Sequence, residues 1–186
     1  LKSDYSQLNA FPGAVAGRIV EVAAAPDIGA PEKLSFLSEE LLQQALEQKA
    51  GLELGDNQQG YGLANLKAIA QSELVAGRVD TAIYNYKGAL SLTPDDEALW
   101  TELARAAGTA KDNSEFATQA VLAAINGYQA SRTTQTRADA LAVLGAALAK
   151  QENFRPALSA YKASLALVSA RTVPVSYTHL TLPTIY

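Results

Sequence analysis

An internal repeat in the second half of this chain limits its fold more than any other feature. The string Tyr-Lys-Gly-Ala-Leu-Ser-Leu at residues 86–92 returns as Tyr-Lys-Ala-Ser-Leu-Ala-Leu at residues 161–167. The distance between the two strings accommodates two units of about 34 residues, one of them slightly lengthened. Units of this size bury their apolar faces only by stacking on their neighbours. The repeat therefore predicts a row of similar structural units.

Alanine indicates that these units are helical. It supplies 36 of the 186 residues, mostly between residues 32 and 170, where Val and Ile are few. Ala is the best helix former, whereas β-branched residues favour strands. Hydrophobic residues make up 48% of the chain and charged residues 18%, as is typical of a soluble globular protein. We therefore predict an all-α fold.

Apolar spacing divides the repeat region into three helical hairpins. The first covers residues 63–94, the second begins at Glu97 and ends near Ala130, and the third begins at Leu141 and includes Leu165. The lengthened unit carries a few extra residues, and we predict that residues 131–137 form an extra loop.

One more helix is predicted ahead of the hairpins. Pro31 suits a first helical turn, and Glu32 suits the positive end of the helix dipole. An apolar face follows, and Gly51 and Gly55 end the helix. The residues of that face are Leu34, Leu37, Leu41, Leu42 and Leu46.

The helix–turn–helix unit of about 34 residues, with small residues at fixed positions, resembles the tetratricopeptide repeat. The resemblance covers roughly positions 61–171. It implies a right-handed solenoid whose concave groove is lined by the first helix of each hairpin. The residues that it assigns to helix packing are Leu66, Ala70, Ala82, Tyr86, Ala89, Trp100, Ala104, Leu144, Gly145, Ala157 and Tyr161.

The same register gives the candidate groove and partner-binding residues. These are Lys67, Gln71, Thr101, Arg105, Ala142 and Ala146. The groove row of the third hairpin is almost bare of polar groups, which departs from members of the family that clamp a peptide carboxylate with Lys, Asn and Arg. A groove filled by a flanking domain of the same protein explains Ala142 and Ala146 equally well.

The start of the chain resembles a different family. Leu-Lys-Ser at residues 1–3 and Pro-Gly-Ala-Val-Ala-Gly at residues 12–17 resemble the tail of a PAN/Apple domain. We predict a truncated, β-like PAN/Apple tail over residues 1–22 and a linker over residues 23–31. The helical domain then spans residues 32–174. Because PAN/Apple domains are disulfide-bonded, the resemblance implies a parent protein that is exported, for example to the periplasm.

The end of the chain has another predicted origin. Residues 175–184, Val-Ser-Tyr-Thr-His-Leu-Thr-Leu-Pro-Thr, resemble a translated sequencing adapter, and we expect residues 175–186 to be an artefact. The chain also contains no Met. We therefore expect it to be a processed chain or a fragment of a longer protein.

Residue types that many active sites need are nearly absent. The chain has no Cys and one His, His179, which rules out Cys nucleophiles and multi-His metal sites within it. Three weak motifs are better explained by structure. The first is a Gly-rich string at residues 60–65 that begins like a dinucleotide-binding fingerprint but suits a helix entry. The others are a Ser-x-x-Lys spacing at residues 159–162 and acidic groups at residues 39–40 and 95–97. We predict no catalytic residue, no metal, no cofactor and no enzyme activity.

Charge and hydropathy point to a protein partner. The net charge of −4 gives no reason to expect nucleic acid, and no apolar run approaches the roughly 20 residues that span a bilayer. A PAN/Apple tail followed by an Ala-rich helical repeat resembles the N-terminal part of bacterial alpha-2-macroglobulin-like protease inhibitors. Two hypotheses follow: a non-catalytic interaction module of such an inhibitor, or a stand-alone tetratricopeptide adaptor that grips a peptide near Lys67 and Arg105.

Overall fold

The computed structural model describes residues 31–110 and 114–169, and these residues form seven α-helices, one 3₁₀ turn and no strand. The predicted PAN/Apple tail, the adapter-like end and all of the linker except Pro31 lie outside the described residues. The helices are α1 (Glu39–Ala50), α2 (Leu63–Val75), α3 (Val79–Leu92), α4 (Glu97–Thr109), α5 (Ser114–Ala130), α6 (Thr134–Lys150) and α7 (Phe154–Ser169), and the 3₁₀ turn (Asp56–Gln58) lies between α1 and α2.

Consecutive helices pack as three hairpins, α2 with α3, α4 with α5 and α6 with α7. Neighbouring hairpins join where α3 packs on α4, α5 packs on α6, and α4 packs on α6. This arrangement is a helical-hairpin solenoid, so the predicted all-α fold is confirmed.

Alanine and leucine form one continuous core along the row of hairpins. Ala106, Ala123 and Ala140 are fully buried. Their small side chains allow the helices to approach closely. Trp100 is also fully buried, and its indole Nε1 donates a hydrogen bond to the Pro94 carbonyl over 2.8 Å. The bulky residue therefore fixes the loop before α4 to the core.

The predicted loop at residues 131–137 is wrong in its second half. Helix α6 begins at Thr134, where the Thr133 hydroxyl accepts a hydrogen bond from the Thr136 backbone N–H and the Thr136 side chain pairs back with the Thr133 N–H. This reciprocal cap satisfies backbone donors that a helix start leaves unpaired. The extra residues of this repeat therefore lengthen the helices instead of forming a loop.

The predicted start of the preceding helix at Pro31 is also wrong. Helix α1 begins at Glu39, because the Ser38 side chain accepts a hydrogen bond from the Leu41 N–H and so caps the helix. Leu34 lies in the non-helical segment before it and is buried. Gly51 ends the helix, as predicted.

The segment before the hairpins packs on their second helices. Helix α1 lies against α5, where the buried Asn126 Nδ2 donates to the Ala45 carbonyl over 2.8 Å and to Gln48 Oε1 over 3.1 Å. The buried Gln58 side chain donates to the Tyr84 carbonyl of α3 over 3.0 Å. The described part of this flanking segment therefore packs on α3 and α5. No described helix has the length and apolarity needed to cross a membrane.

Candidate functional site

The first helices of the second and third hairpins leave an open cavity between them. Its volume is about 460 Å³, and it lies between α4 and α6. We call it the α4–α6 groove. Its floor and rim are formed by Ala104, Arg105, Gly108, Thr109, Ala142, Val143, Ala146, Ala147 and Lys150.

Small residues at helical spacing explain why this groove is open. Ala104 and Gly108 lie four positions apart on α4, and Ala142 and Ala146 lie four positions apart on α6, so each pair shares one helix face. Methyl groups and a bare Cα cannot fill the space between the two helices. The surface that remains is apolar, and Ala146 is exposed on it.

Lys150 closes one end of the groove. Its Nζ donates hydrogen bonds to the Gly108 carbonyl over 2.7 Å and to the Ala110 carbonyl at the end of α4. The ammonium therefore satisfies carbonyls that the end of a helix leaves unpaired, and it fixes the ends of α4 and α6 to each other. Sequence reasoning missed this role, although a Lys in the last turn of a helix was the available signal.

Arg105 provides the charge at the rim. Its side chain is exposed, and none of the described residues forms an ion pair with it. A guanidinium is always protonated and binds carboxylates in a fixed planar geometry. The groove therefore combines an apolar floor with the Arg105 guanidinium, which is accessible at its edge.

Lys67 forms an ion pair within the protein. Its Nζ lies 3.1 Å from a carboxylate oxygen of Glu102, so that the ion pair links α2 to α4. Burial and the neighbouring Glu102 carboxylate raise the pKa of Tyr86 to about 12. Glu102, which was absent from the sequence-based candidates, is therefore the acidic centre of a Lys67–Glu102–Tyr86 cluster.

The structure brings together three of the six predicted groove residues, Arg105, Ala142 and Ala146. Gln71 is exposed on α2 but does not line the α4–α6 groove. Thr101 donates its hydroxyl to the Glu97 carbonyl over 2.9 Å and lies beside Gly127 of α5. Thr101 therefore contacts the second helix of its own hairpin.

The predicted packing residues lie at helix contacts, and Tyr161 is the most exposed of them, at 38%. A Cβ added at Gly145 would lie 2.9 Å from the Tyr161 ring, so the missing side chain makes room for the aromatic. The others are buried: Leu66, Ala70, Ala82, Tyr86, Ala89, Trp100, Ala104, Leu144, Gly145 and Ala157.

The weak chemical motifs have structural partners. Ser159 donates its hydroxyl to the Arg155 carbonyl within α7, and the Asp96 side chain caps α4 by accepting from the Leu99 N–H. Asp95 pairs with Lys49 of α1, and this hydrogen bond lowers the pKa of Asp95. Within residues 31–110 and 114–169, no three His, Cys, Asp or Glu side chains form a group that could hold a metal ion.

Comparison with known proteins adds no assignment. The chain matches no protein-family model, and comparison with curated proteins and with solved structures finds no significant similarity. The α4–α6 groove and the sequence resemblances therefore remain as indications of function.

Proposed function

We propose that this chain is a non-catalytic protein-interaction module that binds a protein segment in the α4–α6 groove. The observation that carries the proposal is an open apolar cavity of about 460 Å³ with the exposed Arg105 at its rim. Grooves of this kind bind apolar side chains, with a few polar groups to fix orientation. The segment that fits has an apolar side chain of moderate size and a carboxylate near Arg105.

A more specific role follows from the sequence. The repeat pattern resembles the tetratricopeptide family, and the order of a PAN/Apple-like tail and an Ala-rich repeat resembles bacterial alpha-2-macroglobulin-like inhibitors. We therefore propose that the module belongs to an exported, periplasmic protein of that type. In such a protein the groove would bind a flanking domain of the same chain, and protease trapping would depend on other domains.

The stand-alone adaptor is the second candidate, and the exposed Arg105 favours it. A carboxylate clamp needs cations that are free to bind, however, and Lys67 is paired with Glu102. An adaptor built on this groove would therefore hold its peptide with Arg105 and the apolar floor, without Lys67.

Peptide display tests the proposed binding activity. The full chain is used to select from a random peptide library, and the selected peptides are then measured against Ala146→Trp, which fills the groove. Val75→Trp is the matched control, because Val75 is 91% exposed and does not line the groove. We expect selected peptides to bind the wild type and Val75→Trp equally and to lose at least about tenfold in affinity for Ala146→Trp.

Two results would contradict this proposal. One is the absence of any selected peptide. The other is a set of peptides that bind Ala146→Trp as tightly as the wild type, provided that circular dichroism shows the variant to be folded.

Sequencing the genomic flanks tests the more specific role. A Cys codon just before Leu1 and macroglobulin-type β domains after Pro174 would support the inhibitor. A nearby initiator Met without a signal sequence, followed by a stop codon soon after Pro174, would contradict it and favour the adaptor.

A further inference from the structure

Helix α7 carries an exposed apolar stripe that the groove does not use. Its members are Phe154, Leu158, Tyr161, Leu165 and Val168, which are 66%, 55%, 38%, 64% and 47% exposed. They follow one another at alternating spacings of four and three positions, so they lie on a single face of the helix. Contiguous apolar surface of this kind marks an interaction site more often than scattered single residues do.

The internal repeat allows the α7 stripe to be compared with the equivalent positions of α3. The alignment that places Tyr161 on Tyr86 also places Leu158 on Ile83 and Leu165 on Leu90. Ile83 and Leu90 lie on α3, where Ile83 is 4% exposed and Leu90 is fully buried. Equivalent positions of the same repeat are therefore covered on α3 and exposed on α7.

The two helices differ in their neighbours. Helix α3 packs between α2, the first helix of its own hairpin, and α4, the first helix of the next one. Tyr86 on α3 lies close enough to Glu102 of α4 for that carboxylate to raise the pKa of the tyrosine. Helix α7 packs on α6, and within the described residues no further hairpin lies on its other side.

The charge of α7 also favours a helix that resembles α4. The helix contains the exposed Arg155 and Lys162 and no acidic residue. Helix α4, which packs on α3, carries Glu97, Glu102 and Arg105, so its side chains have a net negative charge. A helix like α4 would therefore be opposite in net charge to α7.

We propose that the α7 stripe binds the first helix of a further hairpin of this repeat type, which continues the solenoid. The partner is an amphipathic helix that presents to α7 the face that α4 presents to α3. This inference is independent of the groove, since the α7 stripe and the α4–α6 groove share no residue.

The test supplies such a helix to the full chain. A copy of residues 93–109, which contain the loop before α4 and α4 itself, is attached after Tyr186 through a flexible Gly/Ser linker. A flexible linker gives the copy an effective concentration of about millimolar. Hydrogen–deuterium exchange of the α7 amides is compared with and without the copy. We expect exchange in α7 to slow at least about tenfold.

Two controls identify the contact. The first is a fused copy in which the residues equivalent to Trp100 and Leu103 are replaced by Asp. The second is the original fusion with Leu158→Asp and Leu165→Asp on α7, which are surface positions and should leave the circular dichroism spectrum unchanged. Neither control should slow α7 exchange.

Three results would overturn the proposal. The first is α7 exchange that the copy leaves unchanged. The second is slowing that persists in the Leu158→Asp/Leu165→Asp variant, because the copy would then have bound elsewhere. The third is a dimer of the unfused chain in analytical ultracentrifugation that Leu165→Asp dissociates, because the stripe would then bind a second copy of this chain.

Discussion

Two neighbouring small residues of α6 lie on different faces of the helix. Gly145 packs against the Tyr161 ring of α7, and a Cβ at this position would lie 2.9 Å from ring atoms. Ala146, the next residue, is exposed in the α4–α6 groove. One residue thus sets the packing within the hairpin, and the next one keeps the groove open.

Gly145→Leu tests the packing contact. We expect this change to lower the free energy of unfolding by about 3 kcal/mol, because the larger side chain displaces the Tyr161 ring and overpacks the hairpin. Gly108→Leu is the matched control, since a Cβ at Gly108 meets no heavy atom within 4 Å. Urea denaturation measures both. Equal changes in the two variants would contradict the assigned contact between α6 and α7.

Tyr86→Phe tests the cluster of Lys67, Glu102 and Tyr86 through pH. The pKa of Tyr86 is raised to about 12, whereas an unfolded tyrosine titrates near 10. The folded state therefore favours the protonated phenol, and this stabilisation is complete below about pH 10 and is lost as the pH rises towards 12.

We expect the wild type to lose more stability than Tyr86→Phe between pH 8 and pH 11.5 in urea denaturation. The other tyrosines and the lysines titrate in both proteins and do not affect the comparison. An identical loss in the two proteins would show that Glu102 and burial do not hold the Tyr86 proton.

At the scale of the elements, a buried amide joins α1 to α5. Asn126 Nδ2 donates to the Ala45 carbonyl and to Gln48 Oε1, both on α1. The ion pair between Lys49 and Asp95 adds a contact at the exposed edge. Because exposed ion pairs contribute little, Asn126 is expected to provide most of the polar part of this docking.

Asn126→Ala should loosen α1 selectively. Removing the amide leaves the Ala45 carbonyl without its partner and costs about 1–3 kcal/mol. We expect hydrogen–deuterium exchange in residues 39–50 to become faster while exchange in α6 stays unchanged. Gln43→Ala is the control, because that side chain is exposed and donates its hydrogen bond to Glu47 within α1. Unchanged exchange in α1 of the Asn126→Ala variant would contradict the role of this amide.

The elements differ in how far the sequence predicts them. Apolar spacing and Ala content correctly predicted the hairpins, because helical periodicity is a local property. The start of α6 at Thr134 was missed, because a polar stretch of Thr and Arg is typical of a loop. The capping hydrogen bonds that make it a helix start are visible only in the structure. The start of α1 was missed because Pro31 and Ser38 are both acceptable helix starts, and the hydrogen bond from the Leu41 N–H selects Ser38.

At the scale of the whole molecule, the hairpin row has two kinds of surface. The described flanking segment packs on the second helices, where Asn126 and Gln58 hold it. The first helices keep the α4–α6 groove open. The sequence predicted the small groove residues Ala142 and Ala146, since their spacing is local. It did not predict that Lys67 pairs with Glu102, because this ion pair joins two different hairpins.

We propose above that the α4–α6 groove binds a protein segment. Hydrogen–deuterium exchange of the full chain, measured with and without a peptide selected by display, locates the bound segment. We predict slower exchange in α4 and α6, at residues 97–109 and 134–150, and loss of that protection in Ala146→Trp. Protection confined to α1 or α7, with α4 and α6 unchanged, would contradict it.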